Sequence, residues 1–142
     1  MTTPDLVSLV LTVRPAEAVT TPGHLGRAAH TLLLCWLDEH DPALAQHWHD
    51  ADGPKPFTCS TLIGAQRIDD NARALAPGQT YWLRFTALDP AIARVLLARC
   101  ADPPDVIELD HLRLPVEGAT VDSAAHPWAG TATFEDLARP YL

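Results

Sequence analysis

The sequence predicts an α+β fold in which a four-stranded antiparallel sheet carries helices on one face. Three observations predict it. Segments that alternate apolar and polar residues, rich in β-branched or aromatic side chains, recur along the chain. Between them lie stretches with apolar residues at i, i+3, i+4 and i+7, the stripe of a helix that packs on a core. Their order is strand, helix with a second short helix, two strands, helix, strand, which is the split βαβ or ferredoxin-like arrangement, RRM-like in its sheet.

Each element has its own justification. "LVSLVLTVRP" alternates and is the first strand. Thr21-Pro22 offers an N-cap and a Pro for the first helical position. Leu25, Ala28, Ala29, Leu32, Leu33, Trp36 and Leu37 then make the apolar stripe of a helix. Asp41-Pro42 repeats the cap signal before a short helix, "ALAQHWHDAD", which Gly53 and Pro54 stop. "PFTCSTLIGA" and "QTYWLRFTAL" are two further strands, joined by a polar loop that contains Pro77-Gly78. Asp89-Pro90 opens a third helix, "AIARVLLARC", and "DVIELDHLRLPVEGATV" is strand, in one piece or two.

These elements place a domain boundary near residue 122. Residues 123–142 form a junction, a loop followed by a capping box at Thr133 with Asp136. Its Trp128, Phe134, Leu137, Tyr141 and Leu142 have no place in a finished four-stranded sandwich, so they are expected to lie over the sheet or against a second copy of the chain.

Composition narrows the function classes. A chain of 142 residues, 47% of them apolar, can bury one domain-sized core. The apolar runs "TLLLCWL" and "ARVLLA" are far short of the roughly 20 residues that span a bilayer, so no membrane partner is expected. Asp5 stands where a signal peptide would carry positive charge, which points to a cytoplasmic location. Cys35, Cys59 and Cys100 are distant from one another and form no CxxC pair. That spacing excludes a zinc ribbon and predicts buried, reduced thiols. The net charge of -8 argues against a self-sufficient nucleic-acid binder. Residues 53–87 are the exception, with Lys55, Arg67, Arg73 and Arg84 against Asp69 and Asp70, a net of +2. A polyanion contact would centre there.

The stretch "LAQHWHDADGPKPFT" (residues 44–58) concentrates the chemistry. His47 and His49 stand at i and i+2, so on a helix they point roughly 200° apart and cannot share an ion. His49 falls on the last turn, where the helix dipole favours imidazolium, and Asp50 and Asp52 lie beside it. It is either a general acid–base group or a solvated histidine at a helix end. Lys55 is the single lysine of the chain, held extended between Pro54 and Pro56. Its ammonium either meets a phosphate or stands in solvent. Tyr81, Trp82 and Phe85 suit core packing, with an RNA-stacking sheet face as the other option. His30 lies off the apolar stripe and reads as a surface residue.

The segment from His24 to Gly64 resembles the N-terminal part of the CRISPR repeat-processing endoribonucleases of the RAMP superfamily. "DPALAQHWHDADGPKPFTCSTLIG" is its most specific element, and "HPWAGTATFEDLA" is similar to the junction that leads to the family's second domain. The resemblance implies metal-independent, cofactor-free cleavage of repeat RNA in a CRISPR precursor transcript, within prokaryotic antiviral defence. A 2′-hydroxyl attacks the adjacent phosphate and leaves a cyclic phosphate. It places the catalytic histidine at His49 and a catalytic lysine at Lys55. Arg27, Arg67 and Arg84 are the substrate contacts expected of this chain's own arginines. Some members add a tyrosine on the first helix, near Leu34 here, and this chain has no tyrosine before Tyr81. The resemblance implies a second ferredoxin-like domain that is missing from these residues. It leaves a homodimer and a CRISPR effector complex open as assemblies, and a non-catalytic RNA-binding subunit of such a complex as the alternative function.

Overall fold

The computed structural model describes residues 3–141, and Leu142 lies outside them. Strand β1 (Leu6–Val13) is followed by β2 (Val19–Pro22), α1 (Gly26–His40), α2 (Pro42–Asp50) and β3 (Phe57–Cys59). Next come β4 (Gln66–Asp69), β5 (Ala72–Leu75), β6 (Tyr81–Ala87) and α3 (Pro90–Ala101). The chain closes with β7 (Val106–Leu109), β8 (Leu112–Thr120), β9 (Gly130–Ala132) and α4 (Phe134–Ala138), which runs into a 3-10 turn.

The main sheet has the order β3-β6-β1-β8-β7 and is antiparallel, with β9 added along the first residues of β1. β1 is central because both its edges are paired. β6 runs beside it from Val7↔Ala87 to Val13↔Tyr81, and β8 and β9 share the other edge. Period-two alternation sends Val7, Leu9, Leu11 and Val13 to one face, together with Tyr81, Leu83, Phe85 and Ala87 of β6. All are buried, and α1 and α3 cover them with Ala29, Leu33, Trp36, Leu37, Ile92, Val95 and Leu96. The Trp36 and Phe85 rings meet at 4.9 Å. This is the expected α+β fold with helices on one face. The strand count differs: six strands share the main sheet instead of four.

Three expectations are corrected. Thr21-Pro22 does not open α1: both residues belong to β2, and the N-cap is Leu25, whose side chain makes no cap bond. Thr21 is buried and pairs with Arg73, because β2, β5 and β4 form a second, three-stranded sheet. The stretch read as a polar loop therefore contains the β4–β5 hairpin. Gly23 docks β2 on that hairpin, its N–H donating to the Asn71 carbonyl at 2.9 Å. A Cβ there would stand 2.9 Å from the Asp70 carbonyl oxygen, which only glycine avoids. The third correction concerns the thiols. Cys35 is exposed on α1, whereas Cys59 and Cys100 are half-buried.

Other local signals hold. Asp89 accepts from the Ala91 and Ile92 amides at the start of α3, and Thr133 accepts from the Asp136 amide at α4. The helix expected to run to Gly53 ends at Asp50, and Gly53 follows in the left-handed region with φ +86. Pro77-Gly78 makes a turn closed by the Gln79 amide and the Ala76 carbonyl. "DVIELDHLRLPVEGATV" is two strands in a hairpin whose two loop residues, Asp110 and His111, have φ 50 and 71. That backbone is the primed turn of a two-residue hairpin, for which glycine is the favoured second residue.

Two measurements follow. His111→Gly should raise stability by roughly 1 kcal/mol by relieving the left-handed conformation, read as a higher midpoint in urea unfolding. Burial pushes the Cys59 thiol up to about 12 and raises that of Cys100 as well. In native protein a thiol-reactive dye should therefore label Cys35 first, with Cys59 protected until the chain unfolds.

Candidate active site

The site is built on one helix hairpin. Asp41 is the only residue between α1 and α2. Its amide donates to the Leu37 carbonyl at 2.7 Å and ends α1. Its carboxylate accepts from the Leu44 amide at 3.1 Å and starts α2, with Pro42 in the first turn, where a missing N–H costs nothing. Ala45 is buried against α1, with Leu44 and Trp48 packed partly into the core. This folds α2 back along α1 and leaves a groove of about 360 Å³ between them. Thr31, Leu34, Cys35 and Asp38 line one wall of the groove, and Gln46 and His49 line the other.

His49 is on the last turn of α2 and its side chain is 73% exposed. Its Nδ1 lies 3.3 Å from Oδ1 of Asp50. Gln46, one turn earlier, donates through Nε2 to Oδ2 of the same carboxylate at 2.7 Å. The Gln46 hydrogen bond, the His49 hydrogen bond and the charges of His49 and Lys55 together hold the Asp50 carboxyl below its ordinary range. Asp50 is therefore ionised at neutral pH and can only accept. His47 points elsewhere and meets the Trp48 ring edge-on at 4.8 Å, as the i, i+2 spacing requires.

Lys55 is half-buried, and its ammonium donates to the carbonyl of Ala51, the C-cap of α2. A cation at the carbonyl end of a helix is favourable. The Pro54 and Pro56 brace thus directs Lys55 back to the end of its own helix. His49 and Lys55 both act on Asp50, one by contact and the other through space.

The three arginines separate. Arg27 is exposed near the start of α1 and lines a larger cleft of about 790 Å³ with His24, Glu108 and His111. Thr31 borders both this cleft and the His49 groove, so the two run along one flank of α1. Arg67 is on β4 and pairs with Asp70. Arg84 alternates with the buried residues of β6 and so projects from the sheet face opposite the helices. There its Nε donates to Ser8 Oγ at 2.7 Å and its guanidinium lies 5.2 Å from the Trp128 ring centre. Only Arg27 shares a flank with His49.

Trp128 lies over the open sheet face, one of the two positions expected for the tail, stacked on Trp82 at 6.4 Å. His126, edge-on to Trp82 at 4.7 Å, was not foreseen. Phe134, Leu137 and Tyr141 remain exposed, Tyr141 at 89%. Tyr81 and Phe85 are core residues, as their alternation suggested. His30 is half-buried against Phe57, with ring centres at 5.4 Å, rather than a free surface residue. The Gln46–Asp50 bond had one available signal, its i, i+4 spacing on a helix.

Leu34 lines the same groove as His49 and gives its α1 wall an aliphatic side chain. Among the described residues no cluster of three histidine, cysteine or carboxylate side chains could hold a metal ion. No helix among them is long and apolar enough to cross a membrane.

Comparison with solved structures supports the same fold. A product complex of Cas6 (TTHB231) is 28% identical, covers 94% of this chain and superposes with a TM-score of 0.62. Thermus thermophilus Cas6 (TTHB231) covers 98% at 24% identity and TM-score 0.56. A product complex of Cas6 (TTHA0078) covers 93% at 22% identity and TM-score 0.58. The chain spans about half the length of these proteins, 46%, 45% and 45% of each. A comparison with curated proteins finds no match. The family described as the CRISPR Cas6 N-terminal domain matches residues 6–139, nearly the whole sequence, and the chain belongs to that family.

Proposed function

We propose that the chain is the N-terminal half of a metal-independent endoribonuclease that cuts CRISPR precursor RNA within its repeats. The observation that carries the proposal is His49. It is a titratable side chain, exposed at the mouth of an open groove, in a member of this family. The 2′-hydroxyl of the nucleotide before the cut attacks the adjacent phosphorus, and the P–O bond to the 5′-oxygen of the next nucleotide breaks. One product ends in a 2′,3′-cyclic phosphate and the other begins with a 5′-hydroxyl. His49 moves the proton, taking it from the attacking hydroxyl or giving it to the leaving oxygen. Lys55 offsets charge on the phosphorane with the N–H groups that Ala51 leaves free. Arg27 is the arginine placed to hold a neighbouring phosphate, with Arg67 and Arg84 meeting RNA beyond the groove.

Metal independence rests on the family resemblance and on the divergent directions of His47 and His49. Residues 1–122 act as the first ferredoxin-like domain, and residues 123–142 lead to a second one. The half-length match to the solved structures supports that division, as do the exposed side chains of Phe134, Leu137 and Tyr141. The reaction belongs in the cytoplasm, with repeat RNA as the partner of the complete two-domain protein.

Two outcomes test the proposal. The complete protein should cut its repeat RNA in excess EDTA, and His49→Ala should lose most of that activity while retaining RNA binding. Unchanged cleavage by His49→Ala would remove the assignment. Lys55→Ala should slow cleavage on the order of ten- to a hundredfold, the loss of one charge-assisted contact.

The 142-residue chain by itself should bind repeat RNA poorly at physiological salt. Its charge of -8 opposes a phosphate backbone, and affinity follows the number of phosphates neutralised. Gel-shift titration checks this, and light scattering should detect self-association through the exposed residues of the tail. Tight, specific binding by these residues alone would relocate the RNA surface.

A further inference from the structure

We infer that Asp50, braced by Gln46, is a positioning residue that fixes the tautomer and ring orientation of His49. The inference rests on the proposed role of His49 and names the group that would make it work. An ionised carboxylate accepts and never donates, so the 3.3 Å approach of Asp50 Oδ1 to His49 Nδ1 requires the proton on Nδ1. The lone pair of the neutral ring is then on Nε2. A histidine whose reactive nitrogen is chosen by a carboxylate on the other nitrogen starts each turnover in the correct form.

Gln46 gives the arrangement its direction. Asp50 is exposed, and a free aspartate there would sample several rotamers. The 2.7 Å bond from Gln46 Nε2 to Oδ2 engages the oxygen that His49 does not use and turns Oδ1 toward the imidazole. Gln46 and Asp50 are one turn apart on α2, and Gln46 and His49 line the same groove, so the three side chains form one linked unit. Asp38 and Glu39 of α1 line the same groove as His49, Asp52 follows α2 in sequence, and Lys55 acts on Asp50 through space. Lys55 is bound to the Ala51 carbonyl and Glu39 pairs with Arg99. Asp38 has no ion-pair or side-chain hydrogen-bond partner among the described residues, but it lines the wall across the groove from His49.

The tautomer can be read without RNA. Two-bond proton–nitrogen correlation spectra of the 142-residue chain, with His49 assigned by comparison with His49→Ala, should show the Nδ1–H form. Asp50→Asn should shift His49 toward the ordinary mixture dominated by Nε2–H, Gln46→Ala should do so partly, and Asp50→Glu should restore the native form. In the complete protein Asp50→Asn should lower kcat on the order of three- to tenfold with KM unchanged. It should have no further effect in a His49→Ala background. A His49 tautomer that ignores Asp50→Asn would overturn the inference, and so would a shifted tautomer with unchanged kcat. Full activity in His49→Ala would instead overturn the parent reading, whatever the spectra show.

Discussion

The structure depends on the burial of one face of β1. Val7, Leu9, Leu11 and Val13 are each at most 2% exposed, and a strand can hide such a face only if both its edges are paired and a helix layer lies above. Pairing with β6, β8 and β9 satisfies its backbone groups. The apolar stripes of α1 and α3 supply the layer. A one-residue slip of β1 would bring Ser8, Val10 and Thr12 to the core face, two of them polar, so the register is fixed by the core it creates. That register also fixes which β6 residues face away from the helices, and so where Trp82 and Arg84 stand.

The candidate site stands on that core at one remove. α1 is held by Ala29, Leu33, Trp36 and Leu37, and α2 is held mainly by α1. Asp41 transmits position from one to the other because it ends the first helix and starts the second with no residue to spare. His49 is thus positioned by a rigid element while its own side chain stays in solvent. That combination suits proton transfer to a large, exposed substrate. The carboxylates of Asp38 and Glu39 line the same groove as His49, which disfavours a phosphate backbone running the whole length of the groove. The Arg27 cleft is the more favourable continuation along the same flank of α1.

Much of the fold was legible in the sequence because its signals are local. The alternation of β1 and β6, the stripe of α1 and the Asp-Pro caps at Asp41 and Asp89 each have a direct mechanical meaning. The second sheet was not legible. Gln66–Asp69 is exposed along its whole length and so shows no alternation. β2 carries Pro22, which read more naturally as a helix start. β9 is three residues long and pairs with a strand far away in sequence. The site was partly legible: the end of α2 and the stop after it were foreseen. The turn of Lys55 toward the Ala51 carbonyl was not, since it depends on how the chain leaves the helix. The separation of Arg67 and Arg84 from His49 was equally hidden, because both belong to the arginine-bearing stretch and only the topology sends them to different faces.

The account turns on the distance between His49 and the reacting atoms. The complete protein should be solved with repeat RNA carrying a 2′-deoxy nucleotide before the cut, which cannot react. The account predicts the scissile phosphate at the His49 end of the α1–α2 groove, with Nε2 at roughly 2.6–3.2 Å, or one water away, from the 2′-carbon's hydroxyl position or the leaving 5′-oxygen. A scissile phosphate seated elsewhere, with His49 in solvent, would contradict it.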